Sequence, residues 1–522
     1  MGKIAWMTAL AALTMAAALP AAAAPASASE TAQITVHVDQ PGPVMRPELQ
    51  GQFAEELGHG VYGGIWVGED SPIPNIRGYR KDVVAALQAI KVPVIRWPGG
   101  CFADGYHWRD GVGPRAQRPV RLNMNWGGVE EPNSFGTHEY MDFAELIGAK
   151  TYISADVGSG TAGEMSDWIE YMTSDSHSTL AQQRRANGRD KPWRLDYLGV
   201  GNEAWGCGGN MRPEYYANLL RQYATFVWSP PGRPIVKVAS GANSEDVHWT
   251  DTVMANAAGS IDAISLHAYT IPRSDWSHKG SATDFGEDQW MSTIKGSLRM
   301  EGLIAAHSAA MDKYDPAKRV GLLVDEWGNW YDAEPGTNGA FLYQQNSLRD
   351  AITAALNLNI FQAHADRVRM ANIAQMVNVL QAMVLTDGPR MVRTPTYWTY
   401  DLYQVFQGAT ALPVEVAGPD YAFGADAVPA VHASAGRDGA GVVYLALVNV
   451  DPNHAVTVTA RLAGLTAKGV SGQLLTAPMI NSVNSFDHPD VVVPTAFTGA
   501  SLVGQVLTAT LPAKSVVVLS LR

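Results

Sequence analysis

Apolar and polar positions along this chain fall into two textures. Between about residues 51 and 383, short apolar runs that end in polar or glycine-rich residues alternate with longer stretches of helical period. The clearest runs are Pro93-Val94-Ile95-Arg96-Trp97, Thr151-Tyr152-Ile153-Ser154-Ala155, Tyr197-Leu198-Gly199-Val200-Gly201, Ile235-Val236-Lys237-Val238-Ala239, Ala263-Ile264-Ser265-Leu266-His267 and Val320-Gly321-Leu322-Leu323-Val324-Asp325-Glu326. Their length and β-branched content predict buried strands, and the patterns over 81–90, 215–227, 298–314 and 348–361 predict helices between them. Strand and helix in repeated alternation predict parallel β/α units, and a series this long fits a closed (β/α)8 barrel better than an open sheet. No glycine-rich nucleotide fingerprint follows the first strands, which weakens the doubly wound alternative.

From about Thr394 the texture changes to short alternating segments separated by turn residues. Examples are Gly441-Val442-Val443-Tyr444-Leu445-Ala446-Leu447-Val448-Asn449-Val450, Val456-Thr457-Val458-Thr459-Ala460 and Ser515-Val516-Val517-Val518-Leu519-Ser520-Leu521. They predict an all-β sandwich, jelly-roll-like in character. Near the other end, Ala32-Gln33-Ile34-Thr35-Val36-His37-Val38 alternates like a strand that needs a sheet elsewhere. Chain termini often lie close together, so it is expected to join the sandwich. The expected layout is therefore a leader over 1–28, a segment 29–50 carrying the N-terminal strand, a barrel over 51–385 and a sandwich over 386–522. The basic run Gln183-Arg184-Arg185-Ala186-Asn187-Gly188-Arg189-Asp190-Lys191 reads as a solvated loop.

Composition narrows the function. With 522 residues, 46% of them hydrophobic and 17% charged, the chain has ample material for a barrel plus an accessory domain. Its net charge of −12 argues against nucleic acid as a partner and suits a neutral substrate. Lys3, an apolar run from Ile4 to about Ala18, and small residues at Ala22-Ala23-Ala24 or Ala26-Ser27-Ala28 resemble a signal peptide. That predicts an exported protein, periplasmic or extracellular, with no membrane attachment after cleavage. Export would make the two cysteines, Cys101 and Cys207, candidates for one disulfide, two inert buried thiols being the other option. None of the 13 histidines shows His-x-x-x-His or similar ligand spacing, so no metal or other cofactor is expected.

Two acids stand at the ends of strand-like runs: Glu203 in Gly201-Asn202-Glu203-Ala204-Trp205 and Glu326 in Val324-Asp325-Glu326-Trp327. Every strand of a parallel barrel ends at the same rim, so acids far apart in sequence can face one another across a pocket. Glycoside hydrolysis needs such a pair, one protonated toward the leaving oxygen and one ionised. Trp205, Trp327 and Trp330 offer apolar faces for a sugar and can shield a carboxyl from water, raising its pKa.

Further blocks extend the pattern: Gly51-Gln52-Phe53-Ala54-Glu55-Glu56-Leu57-Gly58, Tyr62-Gly63-Gly64-Ile65-Trp66-Val67-Gly68, and Ile95-Arg96-Trp97-Pro98-Gly99-Gly100-Cys101-Phe102-Ala103 continuing to Tyr106-His107-Trp108-Arg109-Asp110-Gly111. Together, from about Val36 to the C-terminus, these residues resemble glycoside hydrolase family 51, whose members are mainly α-L-arabinofuranosidases. The resemblance implies the barrel and sandwich, and a retaining double displacement with Glu203 as acid/base and Glu326 as nucleophile, their carboxyls about 5–5.5 Å apart. By the same resemblance Glu55 binds hydroxyls of the terminal sugar and Arg96 lies beneath the nucleophile. Asn202 bonds the 2-hydroxyl, and His267 and Tyr269 sit near the two acids, with Tyr269 bonding Glu326. Gln375 binds sugar, and Trp330 walls the pocket.

The implied substrate is an arabinose-containing polysaccharide or oligosaccharide, cut at terminal non-reducing α-L-arabinofuranosyl residues; a homo-oligomer is compatible with the resemblance. One departure stands out. Where many relatives carry Asn after the Pro-Gly-Gly turn, this chain has Cys101, and a second cysteine, Cys207, follows the acid/base in Trp205-Gly206-Cys207-Gly208-Gly209. The linked change implies a Cys101–Cys207 disulfide bracing two loops beside the sugar. The competing functions are a retaining β-glycosidase, endoglucanase or xylanase on the same barrel, and a carbohydrate-binding protein without catalysis.

Overall fold

A computed structural model of the chain describes residues 30–522. The leader expected over 1–28 lies outside the described residues. Eight parallel strands close into a barrel: Gly51–Phe53, Val94–Trp97, Lys150–Ala155, Tyr197–Val200, Val236–Asn243, Ala263–Thr270, Gly321–Asn329 and Val368–Ala374, the eighth pairing back onto the first. Six of them fall on the runs read from the sequence. The other two escaped for physical reasons: Gly51–Phe53 is too short to show a period, and Val368–Ala374 interrupts its apolar residues with Arg369 and Asn372.

One end of the barrel is filled by a buried, largely apolar layer of Val94, Tyr152, Tyr197, Val238, Ala263, Leu323 and Met370, one from each of the second to eighth strands. Toward the carboxyl ends this apolar filling gives way to Arg96, Asp325, Glu326 and His267, all buried. A buried charge persists only where it is paired, so this layer marks the rim where the fold spends stability on chemistry.

The seventh strand shows how two adjacent acids both come to face inward. Strict alternation would turn one of Asp325 and Glu326 outward. Instead the seventh strand carries one extra residue against both neighbours, pairing Leu323 and Glu326 with Ser265 and His267, and Val324 and Trp327 with Ala371 and Ile373. This bulge turns both carboxylates into the barrel and returns Trp327 outward, edge-on to Phe361 of the covering helix.

The sandwich comprises a five-stranded and a six-stranded sheet. The N-terminal strand Glu30–His37 lies in the first, parallel to Val456–Ala463 and antiparallel to Val414–Ala417, so the orphan strand finds the sheet expected for it. The helix Leu348–Ala363 explains how the two parts hold together. It is buried from Leu348 through Gln362 because one face covers the barrel and the other meets the sandwich strands. Its polar positions are matched accordingly: the Ser434 hydroxyl lies 2.7 Å from Asn359 Oδ1 and 2.6 Å from Gln362 Oε1, with its one proton to donate between them, and Tyr403 donates to Asn359 at 2.8 Å.

The basic run departs from its expectation as a solvated loop. Its first residues complete a helix, Thr179–Ala186, and Arg184 is buried with its guanidinium donating to the carbonyls of Tyr171, Ser174, Arg189 and Asp190. The five-donor fork of an arginine satisfies several carbonyls of a tight turn at once, a demand that charge patterning alone does not reveal. Among the described residues no helix is long and apolar enough to cross a membrane.

Candidate active site

The site is assembled at the carboxyl ends of the strands. Arg96, on the second strand, is its hub: Nη1 donates to Glu326 Oε1 at 2.7 Å, Nη2 to Asn202 Oδ1 at 2.5 Å, and Nε lies 3.7 Å from Asp325. Its guanidinium stacks over the Phe53 ring at 4.6 Å. One planar cation thus ties the second strand to the first, to the seventh and to the loop after the fourth, which a lysine could not do. Tyr269, from the sixth strand, donates to the second oxygen of Glu326 at 2.8 Å. Glu326 therefore has a donor on each oxygen, which fixes its orientation.

Glu203 follows the fourth strand with a left-handed backbone (φ 40°), which aims its side chain across the rim. Its Oε1 is 2.8 Å from His267 Nδ1, and the same nitrogen lies 3.4 Å from Glu326 Oε2. An oxygen of Glu203 and one of Glu326 lie within 4.8 Å of each other. Burial, together with the charge of Glu326, raises the pKa of Glu203 despite the bond from His267. His267 itself is pushed up to about 10: burial opposes its charge, but Glu326, Asp325 and Glu203 outweigh that cost. Both of its ring nitrogens face carboxylates, Nδ1 those of Glu203 and Glu326 and Nε2 that of Asp325 at 3.1 Å, and the Glu203–His267–Glu326 group is close enough to share a proton or to hold a cation. Asp325 is held below the usual carboxylate range, since Arg96 and His267 overcome its burial, and Tyr152 donates to it at 2.6 Å.

A second group faces the same opening. Glu55, just past the first strand, accepts from Phe102 N at 3.1 Å, from Trp126 Nε1 at 2.9 Å and from Gln375 Nε2 at 3.1 Å. Burial and the Glu326 charge raise it to about 7. It fits because Gly99 and Gly100 leave room; a Cβ on Gly100 would stand 2.9 Å from Glu55 Oε1. Trp330 meets Tyr269 edge-on, with centroids 5.0 Å apart, and also meets Trp276 edge-on at 5.5 Å. Trp205, half-buried, bonds Gly241 O.

Glu55, Arg96, Asn202, Glu203, Trp205, His267, Tyr269, Glu326, Trp330 and Gln375 are thus placed about this rim, and Cys101 and Cys207 are joined by a disulfide; Trp327, expected to offer a face to the sugar, instead packs outward against Phe361 because the bulge reverses its side. Sequence reasoning passed over Asp104, Tyr152, Trp126 and the role of Asp325. Asp104 is buried and accepts backbone N–H bonds from Val157, Gly158 and Asn202 at 2.8, 2.8 and 2.7 Å, tying together three loops. Its motif neighbours were visible, but a carboxylate that binds backbone leaves no side-chain pattern to read. Trp126 sits in the hairpin turn between Arg121–Asn123 and Val129–Glu131, outside any periodic element.

A (β/α)8 barrel with paired carboxyls after its fourth strand and in its seventh, ringed by aromatic and hydrogen-bonding side chains, defines a glycoside hydrolase. Comparison with known proteins narrows the class. Residues 86–285 match the model of an α-L-arabinofuranosidase 1 domain, and residues 325–515 match that of an α-L-arabinofuranosidase C-terminal domain. The chain is 49% identical to an intracellular exo-α-L-arabinofuranosidase of Bacteroides ovatus, over 95% of this chain and 96% of that protein. Its structure resembles the crystal structure of the family-51 arabinofuranosidase from Xanthomonas axonopodis pv. citri, with a TM-score of 0.94, 56% identity, and 94% and 100% of the two chains covered. The arabinose complex of the Thermotoga maritima α-L-arabinofuranosidase gives a TM-score of 0.82 at 31% identity, covering 94% and 99%. The chain belongs to glycoside hydrolase family 51, the α-L-arabinofuranosidases.

The expectation of export is corrected by the same comparison. The Bacteroides ovatus relative, alignable over nearly the whole chain, is named an intracellular enzyme. Export rested on the composition of an alanine-rich leader alone, a signal with no counterpart in the catalytic fold.

Proposed function

We propose that this enzyme releases terminal non-reducing α-L-arabinofuranosyl residues from arabinose-containing polysaccharides or oligosaccharides, with retention of configuration. In the first displacement Glu326 attacks the anomeric carbon as Glu203 gives its proton to the departing glycosidic oxygen. In the second, Glu203 takes a proton from water, which attacks the same carbon and releases Glu326. The observation that carries this reading is the approach of the two carboxyls to within 4.8 Å, with unlike surroundings. An inverting pair stands roughly 6.5–9.5 Å apart to admit a water between them.

The supporting residues have roles consistent with their contacts. Arg96 and Tyr269 hold Glu326 aligned for attack. His267 steadies Glu203 and carries positive charge between the two acids. Asn202, oriented by Arg96, donates its amide toward the sugar's 2-hydroxyl, a bond that tightens in the transition state. Glu55, with Gln375 and Trp126 bonded to it, recognises the remaining hydroxyls, and Trp330 walls the pocket.

The test is hydrolysis of p-nitrophenyl α-L-arabinofuranoside, with β-D-xylopyranoside and soluble glucan and xylan in parallel, while proton NMR follows the first anomer formed. Cleavage of the arabinofuranoside with the α-anomer appearing first is expected. Cleavage of only the xyloside, glucan or xylan would overturn the substrate, and a β-anomer appearing first would overturn the mechanism.

A further inference from the structure

The Cys101–Cys207 disulfide joins the turn after the second strand to the turn that carries Glu203. Both turns are rich in glycine, with Gly99 and Gly100 before Cys101, and Gly206, Gly208 and Gly209 around Cys207. Such backbones do not hold a side chain in place unaided. Cys207 lies inside the network that shapes the Glu203 backbone: Glu203 O accepts from Gly206 N at 2.7 Å and Gly208 N at 3.1 Å, and Ala204 O accepts from Met211 N at 2.7 Å. Cys207 Sγ also lies 3.6 Å from Glu203 Oε2 and 3.9 Å from Asn202 Nδ2. The left-handed backbone of Glu203 is costly for a residue with a side chain and persists only where its surroundings over-determine it. The tether is the one covalent member of those surroundings.

We propose that this disulfide is a positioning element for the acid/base, and that reducing it selectively slows the proton donation Glu203 performs, so that turnover depends on the thiol redox state around the enzyme. The proposal rests on the reading of Glu203 as acid/base. Cys207 is exposed and Cys101 partly so, which opens the bridge to a small dithiol. A thiolate of the dithiol attacks Cys207 Sγ, and the S–S bond breaks with its electron pair going to Cys101, which takes up a proton. The second thiol of the reagent then displaces Cys207, which leaves as a thiol; the reagent ends as a cyclic disulfide, and the protein has gained two electrons and two protons.

The experiment compares kcat/KM for two arabinofuranosides, one with a dinitrophenolate leaving group that departs without protonation and one with a methanol leaving group that needs it. The whole enzyme is assayed oxidised, reduced with dithiothreitol, and reoxidised, alongside Cys101→Ser/Cys207→Ser and Glu203→Ala. Reduction and the double variant should lower kcat/KM on the methyl glycoside by about ten- to a hundredfold, a part of the 10²–10⁴ that general acid catalysis supplies. They should leave the dinitrophenyl substrate within about twofold, and reoxidation should restore the loss. Two free thiols in the enzyme as purified, an unchanged methyl glycoside rate on reduction, or equal losses on both substrates would each overturn the proposal. Equal losses are the mark of general loosening, which a fall in Tm would accompany. If Glu203→Ala shows no dependence on leaving group, the acid/base reading itself fails; if it does while reduction does not, only the disulfide's role fails.

Discussion

The ends of the fourth and seventh barrel strands each present a glutamate to the same opening, and the two are built differently. Glu326 sits within its strand, turned inward by a bulge, with Arg96 donating to one oxygen and Tyr269 to the other. Glu203 sits beyond its strand in a left-handed turn, with a single histidine partner, and its side chain is 17% exposed against 6% for Glu326. A fixed, doubly bonded carboxylate suits in-line attack. A carboxyl with a raised pKa at the open side suits giving and taking a proton. On the proposed mechanism, identical side chains take opposite tasks because the neighbouring strands supply them with different surroundings.

Removing each acid should break the comparison most visibly. Glu326→Ala should lower kcat/KM by at least about 10⁴ on every arabinofuranoside, since no leaving group replaces a missing nucleophile. Glu203→Ala should cost about 10²–10⁴ on alkyl leaving groups and far less on dinitrophenolate. Steady-state kinetics on the two substrate types checks both; equal losses for Glu203→Ala would erase the distinction.

Arg96→Met attacks what makes the seventh-strand site different. It leaves Asp325 and Glu326 buried with only His267 to offset two negative charges, so a destabilisation of about 3–5 kcal/mol is expected, measured by urea unfolding. A loss below about 1 kcal/mol would show that Arg96 is not the hub described.

His267 sharpens the comparison through pH. A histidine whose pKa is raised from about 6.5 unfolded to about 10 folded stabilises fully below the unfolded value and loses that contribution as pH rises through 10. The Tm of the wild type should therefore exceed that of His267→Gln most at pH 6, with the gap narrowing between pH 6.5 and 10. A gap that widens over that window would contradict a charged His267.

Trp126→Phe carries the smallest expected effect. It removes one N–H bond to Glu55 while keeping an aromatic wall, so about 1 kcal/mol, roughly a fivefold change in kcat/KM, should be lost. A change confined to folding stability would separate Trp126 from the sugar pocket.

How much of this was legible beforehand follows the same divide between regular and irregular structure. Six barrel strands and the sandwich showed themselves because burial imposes apolar periods. Glu203 and Glu326 stood out because they close such runs. The bulge that turns Asp325 and Glu326 the same way is invisible to an alternation rule, since it exists only relative to the neighbouring strands. Asp104, spent on three backbone amides, and Trp126, reaching in from a hairpin, lack any spacing that ties them to the acids. Arg184 misled for the converse reason: its charge pattern says solvent, while its donors serve buried carbonyls.

The division of labour between the two glutamates is tested most directly by adding azide to Glu203→Ala and to Glu326→Ala and determining the anomeric configuration of the arabinofuranosyl azide formed. Azide should intercept the glycosyl-enzyme in Glu203→Ala and give the retained α-azide. In Glu326→Ala it should fill the space of the lost carboxylate and give the inverted β-azide. The opposite assignment, or the same anomer from both variants, would contradict the roles given to these residues.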